Sequence, residues 1–448
     1  MKAQAFNNKK VMVFGWARSG KAAAQRLVAL GAQVTVVNGG DFAPDDTFNQ
    51  LQAAGVTFIN HDEATPLDAS FDYLIKNPGI PYDTALVQRA MALDIPVLTE
   101  VAVALSSFEG RLIAVTGSNG KTTTTSLIRD MLLADGQRVT TAGNIGTPVS
   151  EVVPALTADD TLLLELSSFQ LMGVPDIQPD IALITNIFAN HLDYHGTREQ
   201  YVAAKFQLTQ NQTAAQTLVL NADSPDTAQF TADTAAQVVP FSRTQSGHRV
   251  AATAGNLVID DQVVMPLTAI KLVGPHNLEN ILAAVTVAKL AGVENEAIRQ
   301  VLASFGGVAH RLEYLFTDEA VMYYNDSKAT DIEATQTALD SFDQPTIWLA
   351  GGLDRGDDLT RLLPNMTHVK TVVAFGETQQ KVVAVAQAAG LPVQTVDDVA
   401  AAARLAVTLA QAGDVVLLSP AAASWDQYDN FEIRGEAFVS ELKKVLGR

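Results

Sequence analysis

The segment Arg111-Leu-Ile-Ala-Val-Thr-Gly-Ser-Asn-Gly-Lys-Thr-Thr-Thr-Thr125 restricts the fold of this chain more than any other stretch. An apolar run from Leu112 to Val115 reads as a buried strand. A glycine turn follows, then Lys121 and a row of threonines, then an amphipathic helix carrying Leu127, Ile128, Met131 and Leu132. A strand that stops at a glycine turn and resumes as a helix gathers backbone N–H groups, a helix N-terminus and one ammonium around a point, which suits a polyphosphate. Gly117, Ser118, Asn119, Gly120, Lys121, Thr122 and Thr123 are therefore candidate ligands of a nucleoside triphosphate, with the Thr122 hydroxyl available to Mg²⁺. Only Ser118 and Asn119 separate Gly117 from Gly120, so the common phosphate-loop spacing is met in part. The competing reading is a glycine-rich turn with a solvated lysine. Threonines opening the helix weigh against it, because an isolated helix would favour stronger formers there.

Composition sets the outer bounds. A chain of 448 residues has room for roughly two to four domains. With 48% hydrophobic and 18% charged residues it has the balance of a globular protein. It has no cysteine, which excludes disulfides, thiolate metal sites and a cysteine nucleophile. A net charge of −19 opposes nucleic acid as a partner, since phosphate backbones need clustered Lys and Arg. The first ten residues lead into a strand pattern without an apolar signal core, and no apolar run approaches a membrane span. A cytoplasmic protein is expected.

Three blocks of alternating strands and helices predict an α/β protein with parallel, doubly wound sheets. The first block has expected strands at 11–15, 33–37, 73–76 and 96–98 and a helix at 21–30 that ends at Gly31. The second starts at Arg111 and adds expected strands at 161–165 and 181–185 and a helix near 198–210. Residues 217–267 read as turn-rich, alternating β structure, followed by expected helices at 277–290 and 294–305. The third runs from Leu312, with expected strands at 321–324, 346–350, 371–375, 392–395 and 414–419. Gly306-Gly307 and the region after Glu100 are the linker candidates.

Ligands of such sheets sit beyond the carboxyl ends of strands, so the residues there carry the chemistry. Gly15-Trp-Ala-Arg-Ser-Gly20 resembles a dinucleotide fingerprint, but Ala17 replaces the middle glycine and Asn38 the expected acid, which leaves a structural turn or another nucleotide-like ligand. Glu165 ends an apolar strand and in a phosphate-loop domain would face Mg²⁺, the alternative being a carboxylate that caps the next helix. His191 and His195 stand at i, i+4 spacing without a third metal ligand in sequence, so one of them facing the phosphates is the better reading than zinc. Lys205, on its residues alone, reads as a solvated helix lysine. His310-Arg311, Asn325-Asp-Ser-Lys-Ala-Thr-Asp331 and Ser419-Pro-Ala-Ala-Ala-Ser-Trp-Asp-Gln-Tyr428 add polar groups at further strand ends, which suggests a site in an interdomain cleft.

Taken in order, Thr116–Thr122, Gly143-Asn-Ile-Gly146, Glu165-Leu-Ser-Ser-Phe-Gln170, His191-Leu-Asp193, Tyr201–Lys205, Gly274-Pro-His-Asn277, His310-Arg311 and Asp326-Ser-Lys-Ala-Thr330 resemble the Mur ligases, the ATP-dependent amino-acid ligases of peptidoglycan precursor synthesis. Lys76-Asn-Pro-Gly-Ile-Pro81, the short N-terminal domain and the tail Ser419–Phe431 point to the branch that joins D-glutamate to UDP-N-acetylmuramoyl-L-alanine. The resemblance implies three domains: a Rossmann-like one for the UDP substrate (1–101), a central phosphate-loop α/β domain with an added β section (102–307), and a C-terminal Rossmann-like one for the amino acid (308–448). It implies ATP as co-substrate, held by the 117–123 loop and by Asn277, Arg311 and Asp326. One Mg²⁺ would lie on Thr122 and Glu165, and a second on His191 and a carbamylated Lys205, which reverses the solvated-lysine reading. Ser19, Asn38 and Gly79 would take the uridine nucleotide and Asn144 the substrate near the reacting centre. Lys328, Thr330, Ser424 and Phe431 would hold D-glutamate, with Arg355 as its further basic contact. A monomer is implied, and closure of the C-terminal domain is the device expected to exclude water.

Overall fold

Branched apolar runs become the interior strands, and alternate residues of each feed the cores on opposite faces of its sheet. In Lys10–Phe14, Val11 and Val13 join one core while Met12 and Phe14 join the other. The computed structural model describes residues 3–42, 44–60, 67–188 and 192–448. The chain divides into two units, Met1–Met265 with Glu279–Arg299, and Pro266–Leu278 with Gln300–Arg448.

The first unit holds two parallel sheets. One has the order Thr57–Asn60, Gln33–Asn38, Lys10–Phe14, Tyr73–Lys76, Val97–Leu98. The chain winds outward from Lys10–Phe14 and then returns to its other side, so the crevice beyond Phe14 and Lys76 is the switch point at which such sheets bind ligands. Gly15 opens that crevice with φ 104°, and a Cβ there would strike the Asn77 side chain. The following helix runs from Arg18 to Ala29, three residues earlier than the apolar periodicity implied. Gly20 explains the early start, since only a residue without Cβ can pass so close to the Gly15 carbonyl in the first turn.

The second sheet has the order Gln237–Phe241, Thr217–Asn221, Ile181–Ile184, Arg111–Thr116, Thr161–Glu165, Val139–Gly143. Residues 217–267 thus differ from the expected β section. Thr217–Asn221 and Gln237–Phe241 extend the parallel sheet with the helix Thr227–Asp233 between them, and only Val250–Thr253, Asn256–Ile259 and Gln262–Pro266 form a separate small sheet. The half-exposed edge position of Gln237–Phe241 is what gives it the look of a turn-rich segment. The region after Glu100 is the helix Glu100–Leu105, with Glu100 itself buried and accepting the N–H groups of Val149 and Ser150.

The second unit carries the sheet Glu313–Asp318, Val321–Asn325, Val415–Leu418, Thr346–Gly351, Val369–Phe375, Val393–Thr395, parallel except for its first, antiparallel pair. Gly306 packs against Tyr314, where a Cβ would meet the Tyr314 carbonyl. Among the described residues no helix is long and apolar enough to cross a membrane.

Candidate active site

The phosphate loop leaves the middle of the second sheet. Val115 lies in register with Glu165 on one side and with Leu183 on the other, so the loop opens between two strand ends. Gly117 and Gly120 adopt φ of 147° and 79°, and a Cβ on Gly120 would run into the Asn280 amide. Asn186 anchors the loop: its carbonyl accepts the Ser118 N–H at 2.8 Å and its side chain accepts the Asn119 N–H at 2.9 Å. The Ser118 hydroxyl turns inward to Tyr201 (2.8 Å) and the Phe188 N–H (2.9 Å). Ser118 and Asn119 therefore build the loop, and the N–H groups that a phosphate would meet are those of the helix first turn beginning at Lys121.

Lys121 folds back, donating to the carbonyls of Gly117 (2.9 Å) and Ser118 (2.8 Å). Lys205 arrives from the helix Arg198–Phe206 and donates to the same Gly117 carbonyl at 2.8 Å, with its ammonium 4.6 Å from the centre of the Tyr201 ring. At 1% exposure Lys205 is no solvated lysine. Burial first, and the neighbouring Lys121 charge second, pull its pKa down to about 6. Glu165, also 1% exposed, accepts from the Asn144 amide at 2.7 Å through Oε1, while Oε2 is buried without a hydrogen-bond partner among the described residues. A buried carboxylate oxygen with no donor, at the end of a strand in register with the one that leads into the phosphate loop, offers one hard oxygen ligand to a divalent cation. Thr122 is the second residue of the helix Lys121–Ala134. His191 lies outside the described residues. Its neighbour at i+4, His195, is buried, bonded to the Ser168 hydroxyl at 2.9 Å and stacked on Phe169, so it braces the segment after Glu165.

The nucleotide-side candidates of the first sheet cluster at its switch point. Ser19 Oγ donates to Asn77 (3.0 Å), Asn38 Oδ1 accepts the Trp16 N–H (3.2 Å), and Gly79 lies exposed in the turn after Lys76. Arg18 reaches from the same helix start to the Gly146 carbonyl (2.6 Å) and to Glu151, which brings this crevice to the loop carrying Asn144.

In the second unit, Asp326 is buried between the Leu312 N–H (2.9 Å) and the Ser419 hydroxyl (2.9 Å), and burial pushes its pKa up to about 7. Arg311 precedes Leu312 in sequence, with Nε buried and without a partner among the described residues. Asn277 sits in the first turn of Pro275–Leu290, its amide donating to the Val273 carbonyl at 2.7 Å. Lys328 is exposed with its ammonium 4.6 Å from the Phe431 ring, and Arg355 is exposed with its guanidinium 4.7 Å from the Trp425 ring. Ser424, which precedes Trp425 in sequence, is buried, and Thr330 is half-buried. Asp331 caps the helix Ile332–Leu339 by accepting the Ala334 N–H, a structural duty.

Three residues escaped the sequence reading. Asn280, whose side chain accepts from Thr124 and packs on Gly120, lies one helical turn after Asn277, and that i+3 spacing was the available signal. Arg434, 1% exposed, donates to Ser327, Gly351 and Ala422, tying three loops at the carboxyl ends of their strands. Lys76 is the third.

Residues 115–288 match the Mur ligase middle domain and residues 310–422 the Mur ligase glutamate ligase domain. UDP-N-acetylmuramoylalanine–D-glutamate ligase of Leuconostoc citreum is 73% identical over 100% of both chains, and the protein of that name from Oenococcus oeni 49% identical over 99% of this chain and 98% of its own. Among solved structures, UDP-N-acetylmuramate–alanine ligase from Thermotoga maritima has TM-score 0.58 at 17% identity, covering 97% of this chain and 99% of that one. MurF ligase from Thermotoga maritima in complex with ADP has TM-score 0.57 at 17% identity, covering 100% and 97%. These two likenesses are of fold.

Proposed function

Since the chain belongs to the Mur ligases, we propose that it is the ATP-dependent ligase that adds D-glutamate to UDP-N-acetylmuramoyl-L-alanine, a step of peptidoglycan precursor synthesis. The single observation that carries the chemistry is the meeting of Lys121 and Lys205 on one carbonyl, Gly117, in the loop that follows the strand paired with Glu165.

A carboxylate is a poor electrophile. The L-alanine carboxylate oxygen attacks the γ-phosphorus of ATP, the bond to the β-phosphate oxygen breaks, and ADP leaves an acyl phosphate. The neutral amine of D-glutamate then adds to the acyl carbon, and the tetrahedral adduct expels phosphate and loses a proton to give the amide. Lys121 exchanges its contacts with Gly117 and Ser118 for the β- and γ-phosphate oxygens, and the first-turn N–H groups bind beside it. Thr122 and Glu165 would hold one Mg²⁺, and His191 with a carbamylated Lys205 a second. When bound, Mg²⁺ neutralises the triphosphate and the charge that develops on the transferred phosphoryl group. A Lys205 amine already neutral at pH 7 can attack CO₂, forming the N–C bond and releasing a proton. The resulting carbamate exchanges a cation for an anionic oxygen donor.

The remaining assignments follow the same reading. Ser19, Asn38 and Gly79 take the uridine nucleotide, and Asn144 the reacting end. Asn277, Arg311 and Asp326 take the adenosine, and Lys328, Thr330, Arg355, Ser424 and Phe431 take D-glutamate. The lobes are 1–101, 102–307 and 308–448, in a cytoplasmic monomer. Phosphate release with ATP, UDP-N-acetylmuramoyl-L-alanine and D-glutamate tests the proposal, with L-glutamate as control. Release that depends on D-glutamate is expected, and release with L-glutamate alone, or none, would overturn it.

A further inference from the structure

Lys76 ends the strand Tyr73–Lys76 and is 1% exposed, yet among the described residues no carboxylate pairs with it. An unpaired buried ammonium is costly, and burial alone draws this one down to about 8. Its surroundings show what it holds. Nζ donates to the carbonyls of Pro78 (3.1 Å) and Ile80 (2.9 Å), which straddle Gly79, and to the Tyr194 hydroxyl (3.2 Å). That hydroxyl also reaches the Ile80 carbonyl at 3.2 Å and the Pro78 carbonyl at 3.4 Å. The ammonium lies 4.6 Å from the centre of the Tyr82 ring, and the Tyr82 hydroxyl donates to the Met172 carbonyl at 3.3 Å.

Tyr194 and Met172 both belong to the second sheet's side of this unit. Tyr194 sits on the short helix Leu192–His195, packs edge-on against Phe169, and precedes His195, which holds Ser168. Met172 ends the helix Ser168–Leu171, which begins three residues after Glu165. One ammonium and two tyrosines thus connect the Asn77–Ile80 turn to both segments that flank the phosphate and cation site.

We propose that Lys76 and Tyr194 act together as a positioning pair for the ligation. They fix the 77–80 turn against the 168–172 and 192–195 segments, so that the carboxylate of the bound nucleotide sugar arrives in register with the triphosphate. This rests on the reading that the turn receives the UDP substrate. Neither side chain touches a reacting atom. Their effect is orientation, where a small displacement of the carboxylate lowers the rate of phosphoryl transfer.

Steady-state kinetics of Tyr194→Phe, Lys76→Met and the double variant test it. Tyr194→Phe keeps the ring contacts with Phe169 and His195 and removes only the hydroxyl, so it is the variant expected to fold as the wild type does. Each single change raises KM for UDP-N-acetylmuramoyl-L-alanine and lowers kcat, together by about 10-fold or more in kcat/KM, while KM for D-glutamate stays within about 2-fold. The double variant is expected to lose little beyond either single one, because both act through the same two carbonyls. Lys76→Arg, which can still donate to them, recovers part of the loss. Unchanged kcat/KM for the nucleotide sugar in Tyr194→Phe, or fully additive losses in the double variant, would overturn the pair while leaving the ligase reading intact. A wild-type protein that makes no amide from these substrates would overturn that reading and the pair with it.

Discussion

The two units hold their basic side chains in opposite ways. In the first, Lys121 and Lys205 lie on backbone carbonyls of the phosphate loop, and Lys205 is buried deeply enough for its pKa to fall to about 6. In the second, Lys328 and Arg355 stay exposed, each laid across an aromatic ring. A triphosphate reaction needs charge that is desolvated and fixed, because electrostatic stabilisation gains strength where water is excluded. Capture of an amino acid with two carboxylates from water needs cations that remain hydrated and oriented, and a stacked ring restricts a long side chain at small cost.

The buried side should break most completely. Lys121→Ala is expected to cut ADP formation by about 1,000-fold or more with the circular dichroism spectrum unchanged. Retained turnover would remove the phosphate loop from the mechanism. Lys205→Arg introduces a permanent charge and cannot become a carbamate, and a loss of about 100-fold in kcat is expected. The pH dependence has a fixed sign: with a pKa near 6 the Lys205 amine is neutral above that value and an ammonium below it. Carbamate and kcat should therefore fall together as pH drops through 6 and rise with added bicarbonate, readable as a ¹³C carbamate signal that is missing from Lys205→Arg.

The exposed side should bend before it breaks. Lys328→Met and Arg355→Met are each expected to raise KM for D-glutamate by about 10- to 100-fold, with KM for ATP unchanged. Trp425 is 64% exposed, and its removal in Trp425→Leu costs only the stacking of Arg355, a rise of about 3-fold in the same KM. Equal effects of Trp425→Leu and Lys328→Met would erase the distinction between a binding cation and the ring that orients it.

Much of this was readable in the sequence because it is local. The apolar run at 112–115, the glycines at 117 and 120 and the threonine-led helix are contiguous, and each strand end that carries a site residue follows a run of branched apolar residues. Thr57–Asn60 was not legible, since two half-buried residues flanked by two exposed ones at a sheet edge leave no periodicity. Nor were Lys76, Asn280 and Arg434. Their partners lie far off in sequence, Tyr194 for the first, Thr124 for the second and Ser327 for the third, and a buried cation looks like a surface one until those partners are known. The partner of the Ser118 hydroxyl, Tyr201, lies equally far off in sequence.

Labelling the L-alanine carboxylate of the nucleotide sugar with ¹⁸O and analysing the phosphate released during ligation tests the acid-activation chemistry most directly. Transfer of one labelled oxygen into phosphate, abolished in Lys121→Ala, is the predicted result. Amide formed with unlabelled phosphate would contradict it.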